Sequence, residues 1–444
     1  MIYYALLALF VLDYVRPTSY VPALLPFRLN LLAAATTILG SFSDSGPVKN
    51  QDILSEFNTK LFLVFLGMIV ISLPMADVTL YVKDTFTVVL SYVLLYWAIV
   101  KQVTDIRRLK GVIKALVFVH VTVAALNPLM FLEPEVRHYV ASGAFLGDGN
   151  DFALSVNIVV PLCLFMFFDA TKKLHKLMYA GAMVVLIICV IATQSRGGTV
   201  ALGCVGFYYW LKSSKKLPTA VLAVALLALV LVFAPPAYFA RMNTISTQEG
   251  SAQGRIHAWG AAVRMAIDNP IFGVGPGHFP VKYGAEYSKE AGSPWHTAHS
   301  IYFLILGEYG LPGITLLITL IVSNIRRNRH AAAALEKATP GADTTSTRLL
   351  ASTSASMLAF ATGGAFLSAI YYPHMYVLAG IMVASRRLAL AEGQVQQAAA
   401  PAAPPRRITY HWALDPARRA PARRLQGPVG ATPVRRGFFE NQSS

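Results

Sequence analysis

Asp105-Ile106-Arg107-Arg108-Leu109-Lys110 is followed at once by the apolar run Val112–Leu132. That pairing decides the fold. A run of roughly 17–25 apolar residues has the length that crosses a bilayer core as a helix. A short loop rich in arginine and lysine marks the cytoplasmic end of such a span. Upstream, Thr85–Val103, Leu61–Ala76, Phe27–Phe42 and Ile2–Val15 read as further spans. Arg16-Pro17 ends the first of them, because proline disfavours helix in the residue before it. Downstream, Phe152–Phe168 runs into the basic loop Thr171–Lys176, and Leu177–Gln194 into Ser195-Arg196-Gly197-Gly198. Thr199–Leu211 leads to the basic Lys212–Lys216, and Leu217–Ala234 leads into a long polar stretch. His299–Val322, the basic turn Arg326–Arg329, Leu349–Ile370 and Tyr376–Ala391 complete the series.

This pattern predicts an all-α polytopic membrane protein of about 12 transmembrane helices with both ends inside. Residues 1–234 hold spans one to nine, and 235–298 form a large external loop with amphipathic helices. Residues 299–391 hold spans ten to twelve. The tail 392–444, rich in proline, alanine and arginine, cannot bury a core and reads as a disordered cytoplasmic segment. Alternating β-barrel patterning is absent, so the spans are helical. Composition agrees: 55% of the 444 residues are hydrophobic and 14% charged. The net charge of +16 does not point to nucleic acid, because the basic residues gather in short loops and the tail. Cys163, Cys189 and Cys204 lie in apolar runs without ligand spacing, which excludes a disulfide framework or a zinc site. The N-terminus lacks a basic region and a small-residue cleavage site, and reads as a retained span.

The stretch Pro235–Gly313 is the long polar interruption and holds four of the ten histidines. Loop charge alone places Arg196, the loop 235–298 and the start of span ten on one external side. Arg196, beside two glycines at a span end, suits a phosphate at headgroup level or a snorkelling role. Arg255 stands near the N-terminus of an amphipathic helix, where free N–H groups favour an anion. Ile256, Trp259, Val263, Ala266 and Ile267 fall on one face of this amphipathic helix, which reads as lying on or in the protein, while Arg264 reads as solvated or paired. Gly273, Gly275 and Gly277 form a tight turn without the Gly-Lys-Ser/Thr of a phosphate loop. His296, His299 and Ser300 open span ten. A histidine there is either a general base reachable from outside or a satisfied structural residue. Glu308, two to three turns deeper, needs a partner or a water-filled cavity. Asp148 and Asp151 read as a cap on span six. No Walker, Rossmann, hydrolase-elbow or Asp-x-Asp motif is visible.

Several of these strings together resemble the O-antigen ligase superfamily, which includes O-antigen polymerases and protein O-oligosaccharyltransferases. The resemblance is carried by Ser195-Arg196-Gly197-Gly198, by Arg255 and Trp259, and by Asn269-Pro270-Ile271-Phe272-Gly273-Val274-Gly275. It continues in His299-Ser300 and Gly307-Glu308-Tyr309-Gly310-Leu311-Pro312-Gly313. It implies a GT-C-like transferase of the bacterial inner membrane that uses neither cofactor nor metal. The donor would be an undecaprenyl-diphosphate-linked glycan, and the acceptor lipid A–core or another hydroxyl, at the periplasmic face. Arg196 and Arg255 would bind the diphosphate and His299 would help deprotonate the acceptor, with Ser300, Trp259 and Glu308 in support. Ser300 stands where the family often has asparagine. A flippase of polyisoprenoid-linked glycans is the alternative of another class. It predicts polar residues along mid-span positions and internal pseudo-repeats, whereas polar residues here concentrate on one external face.

Overall fold

In a computed structural model, the structure describes residues 1–43, 46–133, 140, 144–218, 220–221, 236, 239, 250–288, 296–338, 340 and 344–399. Nearly all of the expected ninth span, and the tail beyond residue 399, lie outside them. The chain divides into a body, residues 1–398, and a C-terminal unit, 399–444.

Among the described residues every regular element is a helix. The longer ones are α1 (Ile2–Phe10), α2 (Leu29–Ser41), α3 (Phe57–Ser72), α4 (Thr79–Gln102), α5 (Ile106–Leu126) and α6 (Gly149–Asp169). They continue as α7 (Lys173–Ala192), α8 (Arg196–Lys212), α9 (Gly250–Asp268), α10 (Ile301–Ala338), α11 (Thr345–Gly364) and α12 (His374–Ala399). Seven stretches of these are long and apolar enough to cross a membrane, and Ile2–Val15 is a shorter apolar helix. The chain is therefore an all-α membrane protein. α11 carries Ser352, Thr353, Ser354 and Ser356 in its middle and α12 carries Arg386 and Arg387, so both fall below that apolar standard. α12 also runs past residue 391, where the sequence pattern places the end of the last span.

Helix starts follow capping chemistry. Asp105 accepts from Arg108 N at 2.9 Å and caps α5. Asp148 caps α6 through Asn150 N at 2.6 Å, as its sequence position predicts. Ser195 caps α8 through Gly198 N at 3.1 Å. Each carries a first-turn N–H that the helix itself cannot satisfy.

α6 is the central helix: 83% of its apolar window is buried, against 17% for its neighbour α7. It packs on α5, α7, α8 and α11. Its contact with α8 is close. A β-carbon on Gly198 would lie 2.7 Å from Ala153 Cβ, and Asn157 Nδ2 donates to Gly198 O at 2.9 Å. Small residues let membrane helices approach this way. The glycines beside Arg196 thus serve helix packing, since a β-carbon on Gly197 would meet Phe366 Cβ at 2.8 Å.

α10 is broken at Gly310 (φ 61, ψ −155), with Pro312 following. The break frees carbonyls, and the glycine-rich turn supplies their donors. Val274 N donates to Gly307 O at 2.9 Å and Gly275 N to Glu308 O at 3.1 Å, while Leu311 N donates to Pro270 O at 2.8 Å. Only a missing β-carbon permits the approach: one on Gly310 would lie 2.4 Å from Pro270 O, and one on Gly273 2.4 Å from Gly307 O. Glu308 completes the joint. It is buried, accepts from Phe279 N at 3.1 Å through Oε1 and from the Tyr371 hydroxyl through Oε2.

The packed face of α9 is not the one that carries most of its larger apolar residues. Ala258, Ala261, Ala262 and Met265 are fully buried, whereas Ile256, Val263 and Ile267 are exposed at 47%, 40% and 70%. The alanine face wins because α9 lies close against α10, where Met265 Sδ and Phe279 leave room only for Gly307. Arg264 is paired, donating to Tyr287 O at 2.7 Å.

Candidate functional site

Four segments distant in sequence meet at the start of α8. A small cleft, of about 20 Å³, is lined by Asn150, by Ser195 to Gly198, by Arg255, and by Gly363, Phe366 and Leu367. Arg196 and Arg255, expected from sequence to share an external pocket, therefore do line one cavity. The start of α8 adds first-turn N–H groups and the positive end of the helix dipole, the standard setting for an anion. Two guanidiniums add fork-shaped donors suited to phosphate oxygens. A second cleft, of about 350 Å³, is lined by Asp77, Asp268 and Glu286 together with Lys282, a charge balance of the wrong sign for a diphosphate.

The approach to Arg196 is strained. Gln194 sits at φ +50, a left-handed conformation costing on the order of 1–3 kcal/mol for a residue that is not glycine. His299 shares this feature at φ +48. Such outliers persist where the surroundings hold them and gather at functional sites. Gln194 stands two residues before Arg196, and His299 is itself the candidate base.

His299 precedes α10 and is half-buried. It does not line the cleft, but its segment is stitched to the chain neighbours of residues that do. Thr297 Oγ1 donates to Ser368 Oγ at 2.8 Å, and Ile301 packs against Gly364, leaving no room there for a β-carbon. Burial holds the His299 imidazole below its ordinary value, and the charges of Arg255 and His296 push it the same way. Asp148 opposes them. Below an ordinary histidine value of about 6.5, the ring is neutral at pH 7 and can accept a proton.

The supporting residues separate into different tasks. Trp259 Nε1 donates to Ala298 O at 2.9 Å, and its ring stacks on Phe303 at 5.0 Å and 12°. Ser300 is buried and its carbonyl accepts from Leu304 N at 2.9 Å, the first turn of α10. Glu308 belongs to the joint between α10 and the glycine-rich turn and is not among the residues lining the cleft. Asn150, Phe366 and Leu367 line the cleft without having been singled out. Asn150 stood in the capping string Gly147–Asp151, the one available signal; the other two follow α11 and carried none.

Residues 181–318 match the protein family described as O-antigen ligase. That match supports the resemblance to the O-antigen ligase superfamily over this stretch. No curated protein matches the chain. The stretch shared with O-antigen ligases contains Arg196, Arg255 and His299, whereas Asn150 and residues 363–367 lie outside it. The match points to a membrane glycosyltransferase-like enzyme of ligase or polymerase type.

Proposed function

We propose that this O-antigen ligase-type protein transfers a glycan from undecaprenyl diphosphate to an acceptor hydroxyl, lipid A–core in the first place. The reaction takes place at the periplasmic face of the inner membrane, across a body of about 12 spans. The observation that carries the reading is the meeting of Arg196 and Arg255 in one cleft at the start of α8. In the reaction, the acceptor oxygen forms a bond to the anomeric carbon, and the bond from that carbon to the diphosphate breaks. His299 takes the acceptor proton. Negative charge grows on the departing diphosphate, where the two guanidiniums and the helix N-terminus are already in place. Fixed cationic groups supply this stabilisation, so the transfer proceeds without a metal. A positioned base contributes roughly 10²–10⁴-fold.

The test is transfer by purified protein from undecaprenyl-diphosphate glycan to lipid A–core, to free glycan and to a serine-bearing peptide. Lipid A–core is expected to be the preferred acceptor, with turnover unaffected by EDTA. Preference for free glycan or peptide would make the protein a polymerase or a protein O-oligosaccharyltransferase. Turnover abolished by EDTA would overturn the metal-free route.

A further inference from the structure

Trp259 is the residue through which α9 grips the turn that carries His299. Arg255 and Trp259 stand four residues apart on α9, and that spacing puts both on one helical face. The indole N–H, a donor with no acceptor capacity, is spent on the carbonyl of Ala298, the residue immediately before His299. The ring face lies on Phe303, one turn into α10. The His299 turn is thus held on both sides: at its entering peptide by a hydrogen bond, and at the helix it enters by a stacked ring. Ala298 is itself fully buried, so its carbonyl has little access to water as a substitute partner. Between the two grips lies the left-handed His299. A conformation of that kind needs surroundings that over-determine it.

We infer that Trp259 is a positioning residue that fixes the His299 imidazole relative to Arg255, so that base and diphosphate ligand move as one unit on α9. This role presupposes Arg255 as a diphosphate ligand and His299 as the base, as proposed above. It goes beyond packing because the same contact sets how strongly the Arg255 charge acts on His299. Loosening the grip lets the turn relax, separates the two groups and moves the imidazole back toward its ordinary value.

The experiment compares Trp259→Phe, which keeps a ring on Phe303 and loses the N–H, with Phe303→Leu, which loses the stack and keeps the N–H. Turnover and donor KM are measured in detergent from pH 5 to 9, on protein passed through size exclusion. Trp259→Phe is expected to lower kcat by about 10²-fold, the size of effect a misplacement near 1 Å produces. Donor KM should change by less than the loss in kcat, and the acid limb of the rate profile should move to higher pH. Phe303→Leu should move the limb in the same direction by less. It also provides the readout should Trp259→Phe fail to fold. A limb that stays in place in the variants that fold would overturn the role, whether or not kcat falls. Loss of all activity in His299→Ala alongside wild-type behaviour of Trp259→Phe would overturn this role and leave the proposed reaction standing. Full activity in His299→Ala would remove the proposed base itself.

Discussion

Glu308 distinguishes a structural joint from a catalytic group, and its replacement tests which it is. The carboxylate accepts from Phe279 N at 3.1 Å and from the Tyr371 hydroxyl, and it is 1% exposed. Glu308→Ala leaves both donors without this acceptor in a buried setting. Each such orphan costs about 1–3 kcal/mol. Tyr371 keeps a hydrogen bond to the Tyr309 hydroxyl at 2.9 Å, which reduces its share. The expected loss is therefore about 2–4 kcal/mol, with Glu308→Gln intermediate because its amide oxygen replaces one acceptor. Thermal inactivation in micelles reads the order, and labelling of the buried thiols Cys163 and Cys189 reports opening of the body independently. At low temperature the folded Gln variant should turn over at close to the wild-type rate. Unchanged stability together with a turnover loss above about 10²-fold, the range of a general acid–base group, would refute the structural role.

Other variants probe the helix joint, the buried cation and the base. Gly310→Ala forces a β-carbon to within 2.4 Å of Pro270 O at φ +61, so expression and thermal stability should fall more than in Gly181→Ala, where space is open. Arg386 donates through Nη1 to Asn324 and Asn328, each at 3.0 Å. Asn324→Leu removes one neutral partner of this buried charge while Asn328 remains, and should cost about 1.5–3 kcal/mol, measured by thermal unfolding, while Arg386→Met should cost less. His299 is held below its ordinary value by burial first and by Arg255 next. Since the neutral ring is the active form, the acid limb of kcat/KM should fall below about pH 6.5. Arg255→Gln should move that limb upward in whatever activity survives.

Much of the architecture was legible from local pattern. The string Asp105–Lys110 marked a helix start, because capping is decided within a few residues. Arg196 and Arg255 were legible as a pair because loop charge placed both on one side. Legibility ended where contacts are non-local. The break at Gly310 answers to Pro270 and Val274, about 35–40 residues earlier, and spacing alone does not reveal that pairing. α9 was recognisable as amphipathic, yet its larger apolar residues face outward, since a tight approach to α10 favours alanine over bulk. The left-handed His299 had no sequence signal, because its conformation is imposed by Trp259 and the neighbouring segment.

In the proposed reaction, Arg196 and Arg255 hold a lipid diphosphate in one cleft. The most direct measurement is the affinity of the purified protein for undecaprenyl diphosphate against undecaprenyl monophosphate, in wild type, Arg196→Gln, Arg255→Gln and the double variant. The wild type should prefer the diphosphate, each single variant should lose most of that preference, and the double variant should show none. A preference that survives the double replacement would contradict the account.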